Sequence, residues 1–85
     1  NPTVQIESAI SDTQFVVSLT DQSKFSKGKI CHVHNADYSE SNEINVLEVN
    51  GATITLASSL GFTPDNNHSI DLIGFEDGGL PYRLL

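Results

Sequence analysis

Asn50-Gly51 stands between two runs in which apolar and polar residues alternate, EINVLEV before it and ATITLAS after it. Alternation with a period of two places one set of side chains on each face of a strand. An Asn-Gly pair suits the two-residue hairpin loop of type I′, whose central positions both need positive φ. The stretch 43–58 therefore predicts a β-hairpin. With Asn50-Gly51 as the loop, Val49 faces Ala52, Leu47 faces Ile54 and Asn45 faces Leu56 on the core side. Glu48, Val46 and Ile44 then face Thr53, Thr55 and Ala57 on the solvent side. A slip of one residue would turn Ile54 and Leu56 to water, so the register should be firm.

The rest of the chain follows the same short-strand pattern. Val4 and Ile6, with Ala9 and Ile10 beyond them, make a first strand, and Ser11-Asp12-Thr13 a turn. Phe15, Val17 and Leu19 alternate in a second strand. Thr20-Asp21 suits the cap of a single helical turn, in a segment too short for a packed helix. Phe25-Ser-Lys-Gly28 reads as an aromatic core plug followed by a glycine turn with positive φ, leading into a strand from Lys29 to His34. Asn35 to Asn42 is a polar loop, Leu60 to His68 a loop with apolar anchors at Leu60 and Phe62, and Ser69 to Phe75 a further strand. Glu76-Asp77-Gly78-Gly79 is a sharp turn, and the apolar residues after it are kept extended by Pro81. Five to seven short, mostly antiparallel strands separated by polar turns predict an all-β fold, a small barrel or sandwich of SH3-like or similar type.

At 85 residues the chain has the length of one domain, 1–85, with 81–85 as an extended docking tail. A domain of that size buries only about 60–65% of its unfolded surface and has little room for an internal cavity. Cys31 is the only cysteine, so no internal disulfide can form and a reducing compartment of assembly is the simpler expectation. No secretion signal, transmembrane run or lipidation motif is visible. Because the chain starts at Asn1-Pro2 without an initiator Met, it reads as a processed product, an excised domain or part of a longer chain.

Eleven acidic and four basic residues give a net charge of −7. That balance argues against a nucleic-acid backbone or an anionic membrane as partner, since both call for clustered cations. The charges are also segregated. Lys24, Lys27 and Lys29 lie together, whereas the stretch from Ile30 to Tyr82 holds eight acids and no Lys or Arg. A solvated acidic surface explains this plainly; complementary docking of the lysine segment against an acidic neighbour is the sharper reading.

Chemistry-bearing patterns are few. On a strand, His32 and His34 share one face, and Cys31 and Val33 share the other. Two histidines with Asp37 as a third ligand make an incomplete metal site, because structural zinc takes four protein ligands. An ordinary strand with Cys31 inward and the histidines outward is the simpler reading. Cys31 beside Ile30 and Val33 reads as an inert buried thiol, not a nucleophile. The carboxylate pairs Glu40/Glu43 and Glu76/Asp77 define no cleft. Asp65-Asn66-Asn67 and Glu76-Asp77-Gly78 offer oxygens suited to calcium but lack the full EF-hand pattern. Asn67-His68-Ser69 matches the glycosylation triplet by chance composition. No catalytic residue, metal ligand or cofactor is assigned, and the chain is not expected to be an enzyme. Tyr82 and Arg83, with Leu84 and Leu85, combine residue types enriched at interface hot spots. With Lys24, Lys27 and Lys29 they form the expected interface.

Phe25 and Gly28, the polar run Ser39 to Asn42, and Val49, Gly51, Ile54 and Leu56 form a pattern that resembles small β-barrel modules of tailed-bacteriophage virion proteins. The likeness covers about two fifths of the chain, and SH3-like barrels share it for structural reasons. The resemblance implies a structural role: a capsid decoration (cement) protein or a head–tail or tail component, assembled in the host cytoplasm and residing in the virion. Its partners would be other virion proteins or further copies of itself, with no nucleic acid and no membrane. The alternative is a carbohydrate- or protein-binding module cut from a larger cell-surface or secreted protein, which needs an aromatic platform that only Tyr38, Phe62 and Tyr82 can supply.

Overall fold

The computed structural model describes residues 3–75. The strands are β1 (Thr3–Gln5), β2 (Ser8–Ala9), β3 (Gln14–Val16), β4 (Lys29–His34), β5 (Ser41–Asn50), β6 (Thr53–Leu56) and β7 (Ser69–Phe75), with one 3₁₀ turn at Gln22–Lys24. They form one antiparallel sheet in the order β1-β7-β4-β5-β6-β3-β2. The expected all-β class is what the chain adopts.

The two outer strands of that order, β1 and β2, are consecutive pieces of one stretch. Val4 pairs with Ile70 of β7, and Ala9 pairs with Phe15 of β3. Between them the Ile6 N–H donates to the His68 carbonyl at 3.3 Å, and the Glu7 N–H donates to the Val16 carbonyl at 2.8 Å. Residues 3–9 thus stitch the two edges together and close the sheet into a barrel. On the opposite side β5 does the same work, pairing with β4 through Ser41–Asn45 and with β6 through Val46–Asn50.

Alternation fills the interior. Val4, Ile6, Phe15, Val17, Cys31, Val33, Val46, Ile54, Leu56, Ile70 and Leu72 are all buried in one cluster, with Phe25 and Leu60. Phe25 meets Phe15 edge to face, ring centroids 6.5 Å apart, as expected of an aromatic plug. Gly28 follows with φ of 91°, a value that a side chain rarely allows. The helical turn expected near Thr20-Asp21 is present, but Asp21 makes no side-chain cap. Its carboxylate instead pairs with Lys24 at 2.8 Å.

The hairpin is real, but its register differs from the expectation. Asn50 pairs with Thr53, so the loop is Gly51-Ala52. Gly51 has φ of 60°, and neither Asn50 nor Ala52 is left-handed. A glycine at the first central position is the type II′ arrangement, not type I′. Ile54 therefore faces Val49, not Leu47. A bulge follows: Val46 faces Leu56 and Glu48 faces Thr55, leaving Leu47 as the extra residue. The bulge exchanges the two faces, so Val46 is 0% exposed and Leu47 is 50% exposed, the reverse of strict alternation. Ile44 likewise lies opposite Cys31 and packs on the core, and Asn45 turns outward opposite Ile30. The cause is geometric. A ten-residue strand shared by both halves of a barrel must bend where it changes partner, and a bulge concentrates the bend there.

Candidate functional site

β4 carries the chemistry-bearing residues, and alternation sorts them. Cys31 and Val33 are fully buried in the core, while the rings of His32 and His34 lie on the opposite face with centroids 5.2 Å apart; contrary to the expectation of two outward histidines, His34 is itself buried, only 8% exposed. Burial pushes the Cys31 thiol up to about 12, which leaves it a neutral space-filling group at physiological pH.

The outer face around the histidines is polar and ordered by cross-strand pairing. His32 sits between Asp71 of β7 and Glu43 of β5, and its Nε2 lies 2.6 Å from the Ser41 hydroxyl. The His34 Nε2 lies 3.2 Å from Asp71 Oδ2, and its Nδ1 lies 3.0 Å from the Asn35 carbonyl. The Thr3 hydroxyl donates to the second Asp71 oxygen at 3.0 Å, which ties β1 into the same group.

The loop 35–40, between β4 and β5, folds back over this face. The Asn35 N–H donates to the Glu40 carbonyl at 3.0 Å, and the Glu40 N–H donates to Asn35 Oδ1 at 3.1 Å. Asn35 Nδ2 donates to the Ser39 hydroxyl at 2.8 Å. The Ser39 N–H donates to the Asp37 carboxylate at 3.1 Å. Hydrogen bonds from Ser39 hold the Asp37 carboxyl below the usual carboxylate range, so it stays ionised. Tyr38, at the loop tip, has φ of 61° and stacks on His34 with centroids 4.0 Å apart and planes 10° from parallel. Glu40 anchors the far end of the loop through a 2.8 Å contact with the Nε2 of buried His68. His68 stacks on Phe62 at 5.1 Å, and its Nδ1 accepts from the Asp65 N–H at 3.1 Å.

Two aromatic–histidine stacks therefore brace one loop. Sequence reading placed His32 and His34 on a common face but gave no sign that His68, distant in the chain, holds the loop beside them. The lone aromatic in a polar run, Tyr38, was the available signal. Among the described residues no three His, Cys, Asp or Glu side chains are grouped so as to hold a metal ion. Asp37, the suggested third ligand, caps Ser39 instead.

A second feature lies on the outer face at the other end of β4. Ile30 pairs with Asn45 of β5 and Gly74 of β7. β7 is bulged between these pairings and the next, leaving Ile73 as the extra residue, 44% exposed. Ile73, Ile30 and Leu47 thus sit on the outside of three neighbouring strands. The lysine turn lies alongside: the Gly28 N–H donates to the Val46 carbonyl at 2.8 Å, and Lys29 pairs with Phe75. Of the expected interface residues, Lys27 and Lys29 belong to this end of the barrel. Lys24 is paired with Asp21 and holds the Asp21 carboxyl below its ordinary range. Tyr82, Arg83, Leu84 and Leu85 lie outside the described residues, as does the Glu76-Asp77 pair.

The chain matches no family model, and no curated protein or solved structure is significantly similar to it. Among the described residues no helix is long and apolar enough to cross a membrane.

Proposed function

We propose that this barrel is a non-enzymatic virion structural protein, a capsid decoration or head–tail or tail component, that works by docking against neighbouring protein subunits. The observation that carries the docking part is the outer face on which two bulges turn Ile73 and Leu47 toward solvent, with the half-buried Ile30 on the strand between them. Aliphatic groups exposed together on neighbouring strands favour removal from water against a partner. Lys27 lies at this end of the barrel, and the chain carries a net charge of −7, so two protein subunits can meet with opposite charge at the rim. The virion setting rests on the likeness of Phe25, Gly28, Val49, Gly51, Ile54 and Leu56 to phage barrel modules. In this fold those residues plug, turn or line the barrel.

Analytical sedimentation of the full chain, with a Leu47→Glu/Ile73→Glu variant and a variant lacking 82–85, tests the reading. The intact chain should self-associate or carry a partner through purification. Association should weaken in both variants, and should change between about 20 mM and 500 mM salt because screening shortens from roughly 20 Å to under 5 Å. A compact monomer under every condition, with no co-purifying partner, overturns it.

A further inference from the structure

We infer that the exposed face of Tyr38 is a binding subsite for the apolar face of a neutral sugar ring. This inference is independent of the docking face at the other end of β4.

Tyr38 is held where an unconstrained tyrosine would not settle. Its φ of 61° lies in the left-handed region, which a bulky residue rarely occupies. Strain of that kind persists only where surrounding contacts over-determine it. Here they do: the backbone and side-chain bonds among Asn35, Asp37, Ser39 and Glu40 close the loop, and Glu40 is pinned to His68. One face of the phenol ring is covered by His34 at 4.0 Å, with the His32 ring tilted beside it at 5.8 Å, yet Tyr38 as a whole remains 53% exposed. The uncovered face is thus offered to solvent as a rigid, flat surface, and binding to it loses little conformational freedom.

The surroundings select the ligand class. Of residues 35–41 around Tyr38, all but Ala36 are polar, and none of the large exposed hydrophobic residues other than Tyr38 itself falls among them. A protein partner large enough to use this spot would find no second large apolar side chain in this loop to bury. A nucleobase would bring phosphates toward a chain of net charge −7. A pyranose fits both halves of the site. Its C–H face can lie on the phenol ring, while its hydroxyls reach hydrogen-bonding groups at the margin. The Asp37 carboxylate, kept ionised by Ser39, is an acceptor for those hydroxyls, and the phenol hydroxyl can donate.

The test is a two-dimensional amide NMR titration of the full chain with methyl β-glucoside, methyl β-galactoside, methyl α-mannoside and N-acetylglucosamine. Choline serves as a competing ligand class, since a cation can also stack on tyrosine. At least one sugar should shift amides confined to residues 35–41, saturating in the millimolar range expected of a single stacking subsite, roughly 1–20 mM. Tyr38→Asn deletes the ring while keeping a residue that accepts left-handed φ. It should weaken that binding by about tenfold or more, about 1.4 kcal/mol, with the dispersed spectrum retained. No shift with any sugar at about 50 mM, equal binding by the Tyr38→Asn variant, or choline binding in preference to every sugar would each overturn the inference.

Discussion

Val46 and Leu47 are adjacent, aliphatic and on one strand, and the bulge gives them opposite environments. Val46→Ala removes two methyl groups from a fully buried site. At about 0.8 kcal/mol per buried carbon, the transfer part of the loss is about 1.6 kcal/mol. Incomplete collapse of the space left behind raises the total to about 2–3 kcal/mol. Leu47→Ala trims a side chain that is already half exposed, and exposed substitutions typically stay within about 0.5 kcal/mol. The two variants should therefore differ by about 2 kcal/mol. For a domain of this size that is a difference of roughly 10 °C in melting temperature. The chain has no tryptophan, so far-UV circular dichroism under urea and thermal denaturation is the suitable assay. Both variants should show the same dependence on urea concentration, which reports that the folded and unfolded states expose the same surface. If Leu47→Ala costs as much as Val46→Ala, or more, the bulge is misplaced and strict alternation is right.

Gly51→Ala adds a Cβ into open space, so its cost is that of the positive φ alone, about 1–2 kcal/mol; an unchanged urea midpoint would rule out the type II′ turn. For Cys31, a thiol pushed up to about 12 carries roughly a thousandfold less thiolate at pH 8 than an ordinary cysteine. Labelling of the native chain with a disulfide reagent should accordingly be at least about a thousandfold slower than in denaturant, whereas labelling within seconds at pH 8 would show that the thiol is accessible and ionisable.

Local chemistry was legible wherever it is decided by nearest neighbours. Phe25 and Gly28 announce a plug and a turn because an aromatic and a positive φ have few other uses in that order. Cys31 and Val33 point inward because alternation on a regular strand leaves no choice. The same rule failed at Leu47, because the bulge answers to a demand that no residue on β5 records: the strand must leave β4 and join β6. Asn50-Gly51 misled for a related reason. Its preference for type I′ is local, but the closing pair Asn50–Thr53 is set by how β6 meets β3 as well as β5. The loop 35–40 was legible only as a polar loop. Its shape depends on His68, which lies 28 positions beyond Glu40 and reaches it only after β7 has paired with β4.

The seam at residues 3–9 sets an order of events for folding. Thr3 and Asp71 lie 68 positions apart, so the closing contact is about as non-local as this chain allows. Non-local pairing of that kind slows folding, because a long loop must be closed before the contact gains anything. β7 lies between β1 and β4, and until it docks both of those strands present unpaired backbone edges. Loss of the chain beyond the loop between Leu60 and Asp65 would therefore not yield a smaller barrel. It would leave β1 and β4 as two open templates, each able to recruit a strand from another chain.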